Sequence, residues 1–298
     1  MKKILYITDY QDLERFADKN RLYRFYSIRL NSDFECRDIH DIQNIDVNKY
    51  QAICISHETC PVHSRCSNHN IESLVNKFKH RFIILEDFQR IMKHKEYLYK
   101  HYSDIIVTVG GSYYKTLQKD IPGKVHVLTH HINKAILKDY GLPKIYDVLL
   151  FGTVNEAYPF RRKLHSIIKN IPNLKIKVVS KEQNIYGKDI AKLINQSWLT
   201  VSTKSKYNYL VCKYFEISAG KSVVLGNMAQ FGHDIWNKNF IHVNENMDTT
   251  EIISIIQNAL NDKDNLMSIS NNMYDKIRSE YSTIEYAEKL NNIVRRNK

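Results

Sequence analysis

Short apolar runs alternate with amphipathic segments along most of the 298 residues. The apolar runs are rich in Ile, Val, Leu and Phe, which is typical of strands that are buried on both faces. The segments between them place apolar residues three and four positions apart, as helices do. Because strands that alternate with helices form βαβ units, the pattern predicts an α/β protein with parallel sheets.

The elements divide into two series. In the first, strands are predicted at residues 3–8, 52–56, 81–86, 104–109 and 124–129, and helices at 11–19, 71–80, 90–102 and 113–119. In the second, strands are predicted at 147–152, 174–180, 199–203, 222–225 and 239–243, and helices at 160–170, 187–196, 211–219, 249–261, 264–280 and 283–294. We therefore expect two Rossmann-like domains, residues 1–142 and 143–278, and a C-terminal helix within 279–298. Gly220 should end helix 211–219 in a left-handed conformation.

Basic residues outnumber acidic residues by 44 to 32, which gives a net charge of +12. This excess indicates an anionic partner, such as a nucleotide, a nucleic acid, an acidic polymer or a membrane surface. No apolar window is long enough to cross a membrane, and the first apolar run ends at Asp9, too early for a signal peptide. We expect a cytoplasmic protein whose membrane contact, if any, is peripheral. The odd number of cysteines, five, argues against a disulfide framework.

Two stretches suit a phosphate-bearing ligand, although neither glycine-rich nucleotide fingerprint occurs. Tyr158-Pro159-Phe160-Arg161-Arg162 follows a predicted strand and begins a helix, where free N–H groups and arginines favour a diphosphate. Lys213 and Glu216 share one helix face, so a lysine could neutralise a phosphate beside a carboxylate that accepts ribose hydroxyls. The alternatives are arginines that only solvate a helix start and an ordinary surface ion pair.

In order, these residues resemble the group 1 glycosyltransferases of GT-B fold. The resemblance rests on a strand that ends at Gly152, on Tyr158-Pro159-x-Arg161, and on Lys213-Tyr214-Phe215-Glu216 with Ala219-Gly220 before an apolar strand. It covers about residues 146–261 and is greatest to the spore-maturation-type branch of these family 4-like enzymes. It implies two Rossmann-like domains that face each other across a cleft, an acceptor domain followed by a donor domain, and a last helix that crosses back to the first domain.

The resemblance also implies a reaction. A nucleotide-sugar donor, with UDP favoured, would transfer its sugar to a glycan or glycoconjugate, with retention and without a metal ion. The implied donor-binding residues are Gly152, Thr153, Tyr158, Arg161, Lys204, Tyr209, Lys213 and Glu216. Among them, Glu216 would bind the ribose, and Lys213 and Arg161 the diphosphate. The catalytic candidates are His130, His131, Lys213 and Glu216, and the acceptor-side candidates are His57, Glu58 and Asp87.

One departure from the family pattern keeps other functions open. Many retaining relatives carry a glutamate eight residues before the one that matches Glu216, and Asn208 occupies that position here. A catalytically silent nucleotide- or glycan-binding module is therefore one alternative. A DNA glycosyltransferase that acts on modified bases is another, because the positive charge would suit DNA. The acceptor is thus an anionic glycan, a lipid-linked glycan or DNA.

Cysteine and histidine alternate at every third position of one segment. The residues are Cys54, His57, Cys60, His63, Cys66 and His69. Zinc prefers these ligands, and a redox pair of Cys60 and Cys66 is an equal alternative. However, four ligands must converge tetrahedrally, and Cys54 lies inside a predicted strand, so the pattern favours a loop without metal.

Overall fold

The computed structural model describes residues 2–10, 28–29, 31–56, 59–62, 70–85, 94–108, 112–121 and 124–296. The chain forms two compact units. Unit 1 comprises residues 1–129 and 283–298, and unit 2 comprises residues 130–282. Each unit has its own parallel sheet, and described α-helices lie between most of the successive strands. The α/β fold predicted from the alternation of strands and helices is confirmed.

Unit 1 contains a six-stranded sheet in the order β2-β1-β3-β4-β5-β6, with all neighbouring pairs parallel. Its strands are β1 (Lys3–Thr8), β2 (Phe34–Asp38), β3 (Tyr50–Ser56), β4 (Arg81–Leu85), β5 (Asp104–Val107) and β6 (Val125–Val127). Its described α-helices are α1 (Asn70–Asn76), α2 (Lys95–His101), α3 (Ser112–Asp120) and the last helix of the chain, α10 (Thr283–Arg296). The helix predicted at 11–19 lies outside the described residues.

Strand β2 is not predicted by the sequence pattern. Its residues Phe-Glu-Cys-Arg-Asp mix apolar and charged side chains, and only the first and last are buried, because β2 lies at the edge of the sheet. The carboxylate of Asp38 accepts hydrogen bonds from the backbone N–H groups of Tyr10 (3.0 Å) and His40 (2.8 Å). Asp38, at the end of β2, thereby holds the backbone at Tyr10, shortly after the end of β1.

Helix α10 completes the core of unit 1. Tyr286, Leu290 and Val294 are 2%, 0% and 5% exposed and pack in one cluster with residues of the sheet. Arg295 pairs with Asp33, just before β2, at 2.6 Å. The predicted return of the C-terminal helix to the first domain is confirmed.

Unit 2 contains a five-stranded parallel sheet in the order β8-β7-β9-β10-β11. Its strands are β7 (Tyr146–Phe151), β8 (Ile176–Val179), β9 (Ser197–Val201), β10 (Val223–Gly226) and β11 (Ile241–His242). Its helices are α4 (Pro159–Lys169), α5 (Gly187–Asn195), α6 (Lys213–Ala219), α7 (Gln230–Trp236), α8 (Thr249–Asn261) and α9 (Lys263–Glu280). Leu164 and Ile168 of α4 and Ile252 and Ile256 of α8 recur one turn apart, and all four are buried against the sheet.

The segment 130–142 belongs to unit 2, so the chain enters this unit between residues 129 and 130 and not at the expected boundary after residue 142. The backbone N–H of Ile132 donates to the carbonyl of Tyr281 at 2.8 Å. The carboxylate of Asp139 pairs with the Lys221 ammonium at 2.8 Å. These long-range contacts hold the segment in unit 2, whereas the Gly and Pro near residue 142 only mark a bend in it.

Gly220 ends α6, but the predicted left-handed conformation is wrong. Its φ is −91°, and the next residue, Lys221, takes the left-handed conformation with φ +63°. A Cβ built on Gly220 would lie 2.6 Å from a methyl group of Ile194 in α5. Glycine is therefore required here by the close approach of α5 and α6.

Replacement of Leu290 by alanine should destabilise unit 1. The side chain is fully buried, so the change should lower the free energy of unfolding by roughly 2–5 kcal/mol. The matched control is Ile284→Ala on the same helix, where the side chain is 60% exposed and the change should stay within about 0.5 kcal/mol. Urea unfolding followed by circular dichroism measures both, and equal losses would contradict the packing of α10.

Candidate functional site

The strand order of unit 2 changes direction between β7 and β9. The chain passes from β7 to β8 on one side of the sheet and then returns to β9 on the other. In parallel sheets, this switch opens a crevice beyond the carboxyl ends of the two strands, where ligands bind. In unit 2, Gly152 and Thr153 follow β7, and Ser202 and Thr203 follow β9. We call the place between these two strand ends the crevice.

Lys213 reaches the end of β7 from the first position of α6. A Cβ added at Gly152 would overlap the Lys213 side chain and lie 2.8 Å from its Nζ. Gly152 also has φ +93°, a conformation that glycine adopts without strain. The ammonium lies 4.8 Å from the centre of the Phe151 ring, which attracts it through the ring's π-face. The glycine thus makes the room that places a positive charge at the crevice.

Glu216 lies one turn along α6 from Lys213 and is half-buried. Within the part of the chain that the structure describes, its carboxylate has neither a hydrogen-bond partner nor an ion-pair partner. The two side chains therefore do not form the ordinary surface ion pair that their spacing allows. Helix α6 therefore carries a cation and a carboxylate that do not neutralise each other.

Arg161 is buried at the base of the crevice, with 1% of its surface exposed. Its Nη1 donates to the carbonyl of Thr153 at 3.0 Å, and its Nη2 donates to the carbonyl of Thr203 at 3.1 Å. The guanidinium also stacks on the ring of Tyr158, 3.9 Å from the ring centre. Arg161 is thus not a solvated arginine at a helix start, because it ties together the two loops that border the crevice.

The charge of Arg161 has no described counter-charge. Burial lowers the pKa of its guanidinium, and the groups that act on it are Tyr158, Tyr214 and Cys212, with no carboxylate among the described residues. One turn further along α4, burial and the charge of Arg161 lower the pKa of His165 to about 4, so His165 is neutral at pH 7. The result is an isolated positive charge behind the crevice, which favours an anion in front of it.

His130 lies beside α6, edge-on to the ring of Phe215, with ring centres 6.1 Å apart. It is half-buried, whereas His131 is 7% exposed. Tyr209 is 3% exposed and packs 5.6 Å from the ring of Tyr207. The structure therefore brings His130 to the helix of Lys213 and Glu216, and places His131 and Tyr209 in the interior of unit 2.

A cavity of about 410 Å³ opens next to the crevice, beyond the ends of β9, β10 and β11. Its lining comes from the first turn of α4 and from the loops after the three strands. The residues are Pro159, Phe160, Lys163, Lys204, Ser205, Lys206, Asn208, Asn227 and Glu245. We call this space the lysine cavity.

Hydrogen bonds fix one wall of the lysine cavity. Asn227, which is 3% exposed, accepts from the backbone N–H of Lys204 at 3.1 Å and donates to Glu245 at 2.7 Å. The Lys204 ammonium pairs with the other oxygen of Glu245 at 3.2 Å. Burial raises the pKa of Glu245, but hydrogen bonds from its own backbone, Asn227 and Lys204 outweigh this effect and hold the pKa below its usual value. The Tyr214 hydroxyl of α6 donates to the Asn227 carbonyl at 2.7 Å, which links this wall to α6.

Sequence reasoning assigned Lys204 to the donor site and missed the other polar residues of this wall. The signal that could have found them is position, because Asn227 comes directly after β10 and Glu245 lies three residues after β11, at the same edge of the sheet as Lys204. Lys163 carries no comparable signal, because an exposed lysine in the first half of a helix is common.

Six of the residues singled out from the sequence lie outside the described residues. They are His57, Glu58, Asp87, His63, Cys66 and His69. Cys54 is buried in β3 as part of the core of unit 1, and Cys60 is also buried.

Metal-binding clusters and membrane-spanning helices are both absent from the described ranges. No group of three or more His, Cys, Asp or Glu side chains in the described ranges is arranged to hold a metal ion. No described helix has both the length and the apolar surface that crossing a bilayer requires.

No protein-family model and no curated protein sequence matches the chain. Several solved structures do match the chain in fold. HepE from Anabaena in complex with UDP-glucose is 11% identical, with a TM-score of 0.64 over 99% of this chain and 100% of that one. Sucrose-phosphate synthase from Thermosynechococcus elongatus is 10% identical, with a TM-score of 0.61 over 100% and 99%.

A mutant of S. aureus TarM, in complex with fondaparinux, α-GlcNAc-glycerol and UDP, is 12% identical, with a TM-score of 0.55. The match covers 81% of this chain but 55% of TarM, so the chain spans little more than half of that protein. At these identities the likeness shows the fold alone. The fold is the GT-B fold of glycosyltransferases, as the sequence resemblance implied.

Replacement of Arg161 by lysine should destabilise unit 2, although the charge is kept. A lysine cannot reproduce the two-pronged contact with Thr153 and Thr203, so a buried carbonyl loses its donor and the free energy of unfolding should fall by about 1–3 kcal/mol. Arg162→Lys is the matched control, because Arg162 is exposed and should tolerate the change within about 0.5 kcal/mol. Urea unfolding tests both variants. Wild-type stability of Arg161→Lys would show that the bridge between the two loops contributes nothing.

Proposed function

We propose that the protein is a glycosyltransferase whose unit 2 binds a nucleotide-sugar donor, with UDP as the nucleotide. The observation that carries the proposal is the pair Lys213 and Glu216, a cation and an unpaired carboxylate that one helix presents at the switch point of a parallel sheet. Structures of the same fold support it, because HepE is bound to UDP-glucose and TarM to UDP. The acceptor is a hydroxyl or amine of a glycan or glycoconjugate.

In this proposal, Glu216 recognises the ribose. An ionised carboxylate is an acceptor only, and two neighbouring ribose hydroxyls are donors at the right separation to use both of its oxygens. Since no described protein group uses this half-buried carboxylate, ribose hydroxyls would satisfy it without displacing an existing contact. Such charged hydrogen bonds are worth about 1.5–3 kcal/mol each.

Lys213 and Arg161 stabilise the diphosphate. When the glycosidic bond breaks, negative charge grows on the leaving diphosphate, and fixed cations lower the energy of that state. Lys213 contacts the phosphates from the end of β7, where Gly152 leaves room for it. Arg161 is held behind the crevice by Thr153 and Thr203, and its positive charge stabilises the diphosphate by electrostatic attraction.

His130 is proposed to contact the sugar or the phosphates of the donor, because it packs on Phe215 next to Glu216. In a reaction with retention, the departing phosphate takes the acceptor proton, so a base from unit 1 is optional. Tyr158 supports Arg161 through its ring. His57, Glu58 and Asp87 are kept as proposed acceptor-side residues of unit 1.

A screen of nucleotides should identify the donor. UDP and UDP-sugars should raise the melting temperature, whereas GDP, CMP and dTDP and their sugars should not, because the proposed donor carries uracil as its base. At a ligand concentration of 100 times the dissociation constant, binding stabilises the folded protein by about 2.7 kcal/mol. A thermal-shift assay detects this, and stabilisation by another nucleotide alone would overturn the choice of UDP.

Two substitutions in α6 should separate ribose recognition from phosphate recognition. Glu216→Gln should weaken both UDP and uridine by roughly 10- to 150-fold, since both ligands contain the ribose. Lys213→Ala should weaken UDP more than uridine, because it removes a charge from the phosphate end only. Isothermal titration with both ligands measures the difference.

The matched controls are exposed residues of unit 2, Glu251→Gln and Lys188→Ala, which should bind UDP as the wild type does. Urea unfolding of all variants checks that α6 remains folded. If Lys213→Ala and Glu216→Gln both bind UDP with wild-type affinity, the proposed donor site is wrong.

A further inference from the structure

The lysine cavity has a chemistry that the donor proposal does not use. We propose that it binds an anionic sugar unit, one that carries a phosphate, sulfate or carboxylate group, at a site separate from the donor nucleotide. The inference concerns a second ligand and does not depend on the proposed function.

The lining of the lysine cavity carries more positive than negative charge. Three lysines line the cavity, Lys163, Lys204 and Lys206, against one carboxylate, Glu245. Both oxygens of Glu245 are engaged, one by Lys204 at 3.2 Å and the other by Asn227 at 2.7 Å. The cavity therefore keeps the positive charges of Lys163 and Lys206 in excess, and these attract an anion.

The excess lysines have no described carboxylate beside them. The Lys163 ammonium donates to the backbone carbonyls of Met247 at 2.9 Å and Glu245 at 3.4 Å, so it is held in place but not neutralised. The Lys206 ammonium lies 5.4 Å from the centre of the Tyr207 ring, a contact that also leaves its charge uncompensated. A side chain that is already held in place loses little conformational freedom when a ligand binds, and this favours a high affinity.

The remaining walls suit a sugar better than a bare ion. Pro159 and Phe160 provide an apolar surface for the C–H face of a pyranose ring, and Ser205 and Asn208 line the cavity with a hydroxyl and an amide group. A volume of about 410 Å³ far exceeds that of an inorganic anion and falls in the range of small-molecule sites, roughly 300–1,000 Å³.

The cavity is distinct from the proposed donor contacts. Of the residues that the resemblance assigns to the donor, only Lys204 lines the cavity, and its ammonium is paired with Glu245. Its lining comes from α4 and from the loops after β9, β10 and β11, whereas Lys213 and Glu216 belong to α6. Substitutions can therefore change one site and spare the other.

Isothermal titration of the full chain tests the proposal. The probes are glucose 6-phosphate and a glucuronate-containing disaccharide, with glucose and inorganic phosphate as controls. The double variant Lys163→Gln/Lys206→Gln should lose at least tenfold in affinity for the anionic sugars, and its affinity for UDP should stay within twofold of the wild type. The control Lys169→Gln/Lys188→Gln removes the same charge from exposed positions outside the cavity and should change neither affinity.

Lys213→Ala should leave the binding of glucose 6-phosphate unchanged, so failure of this proposal and failure of the donor site are distinguishable. Binding of the phosphate ester alone identifies sugar phosphates, binding of the disaccharide alone identifies acidic glycans, and either supports the site. Three results would overturn it: no binding of either sugar to the wild type, equal binding of glucose or inorganic phosphate, or an equal loss of UDP affinity in the double variant.

Discussion

A single buried guanidinium holds the carboxyl edge of the second sheet. Arg161 reaches from α4 to the carbonyls of Thr153 and Thr203, which belong to loops after different strands. Removing a charge from water is costly, and two carbonyl contacts and the ring of Tyr158 offset only part of this cost. The contacts satisfy both carbonyls, but the positive charge has no counter-charge among the described residues, which favours an anion in the crevice.

The geometry on either side of Arg161 follows from this constraint. Because the end of β7 is fixed, Gly152 can keep a backbone conformation that admits the Lys213 side chain. Because the end of β9 is fixed, the next residue, Lys204, presents its backbone N–H to Asn227. Tyr214 connects the two sides, since its hydroxyl bonds to Asn227 from the helix that carries Lys213. The crevice and the lysine cavity thus share one rigid frame while using different side chains.

Local pattern predicted most of this architecture. Strands such as β4 and β7 are continuous apolar runs because both of their faces are covered, and their short length and their aromatic and β-branched residues favour a strand over a buried helix. Strand β2 was missed because an edge strand needs few apolar residues. Helix α7 was missed because it has only seven residues and one of its three buried positions is a glycine, so its apolar signal is weak. Gly220 was placed correctly but for the wrong reason, since its requirement comes from Ile194, a distant residue that no local rule contains.

The candidate site shows the same difference between features set by local sequence and features set by distant residues. Lys213, Glu216, Gly152 and Arg161 were assigned to the candidate site from strand ends and motif order, which are local features. The wall formed by Asn227 and Glu245 was missed because it exists only when the ends of three strands meet. That Arg161 bonds to backbone carbonyls could not be predicted either, because burial of an arginine depends on the packing of the whole edge.

The position of α10 in the chain has a consequence for biosynthesis. Unit 2 is a continuous stretch, whereas unit 1 is completed by a helix that follows unit 2 in sequence. A growing chain on the ribosome therefore finishes the second unit while the first still lacks the side chains of Tyr286, Leu290 and Val294. Until then, the apolar residues that α10 covers stay open to water and to other chains, and such surfaces are the ones that chaperones and proteases act on. Release of a stable first unit is thus coupled to completion of the second, so that prematurely terminated chains carry a defect in unit 1 that marks them for removal.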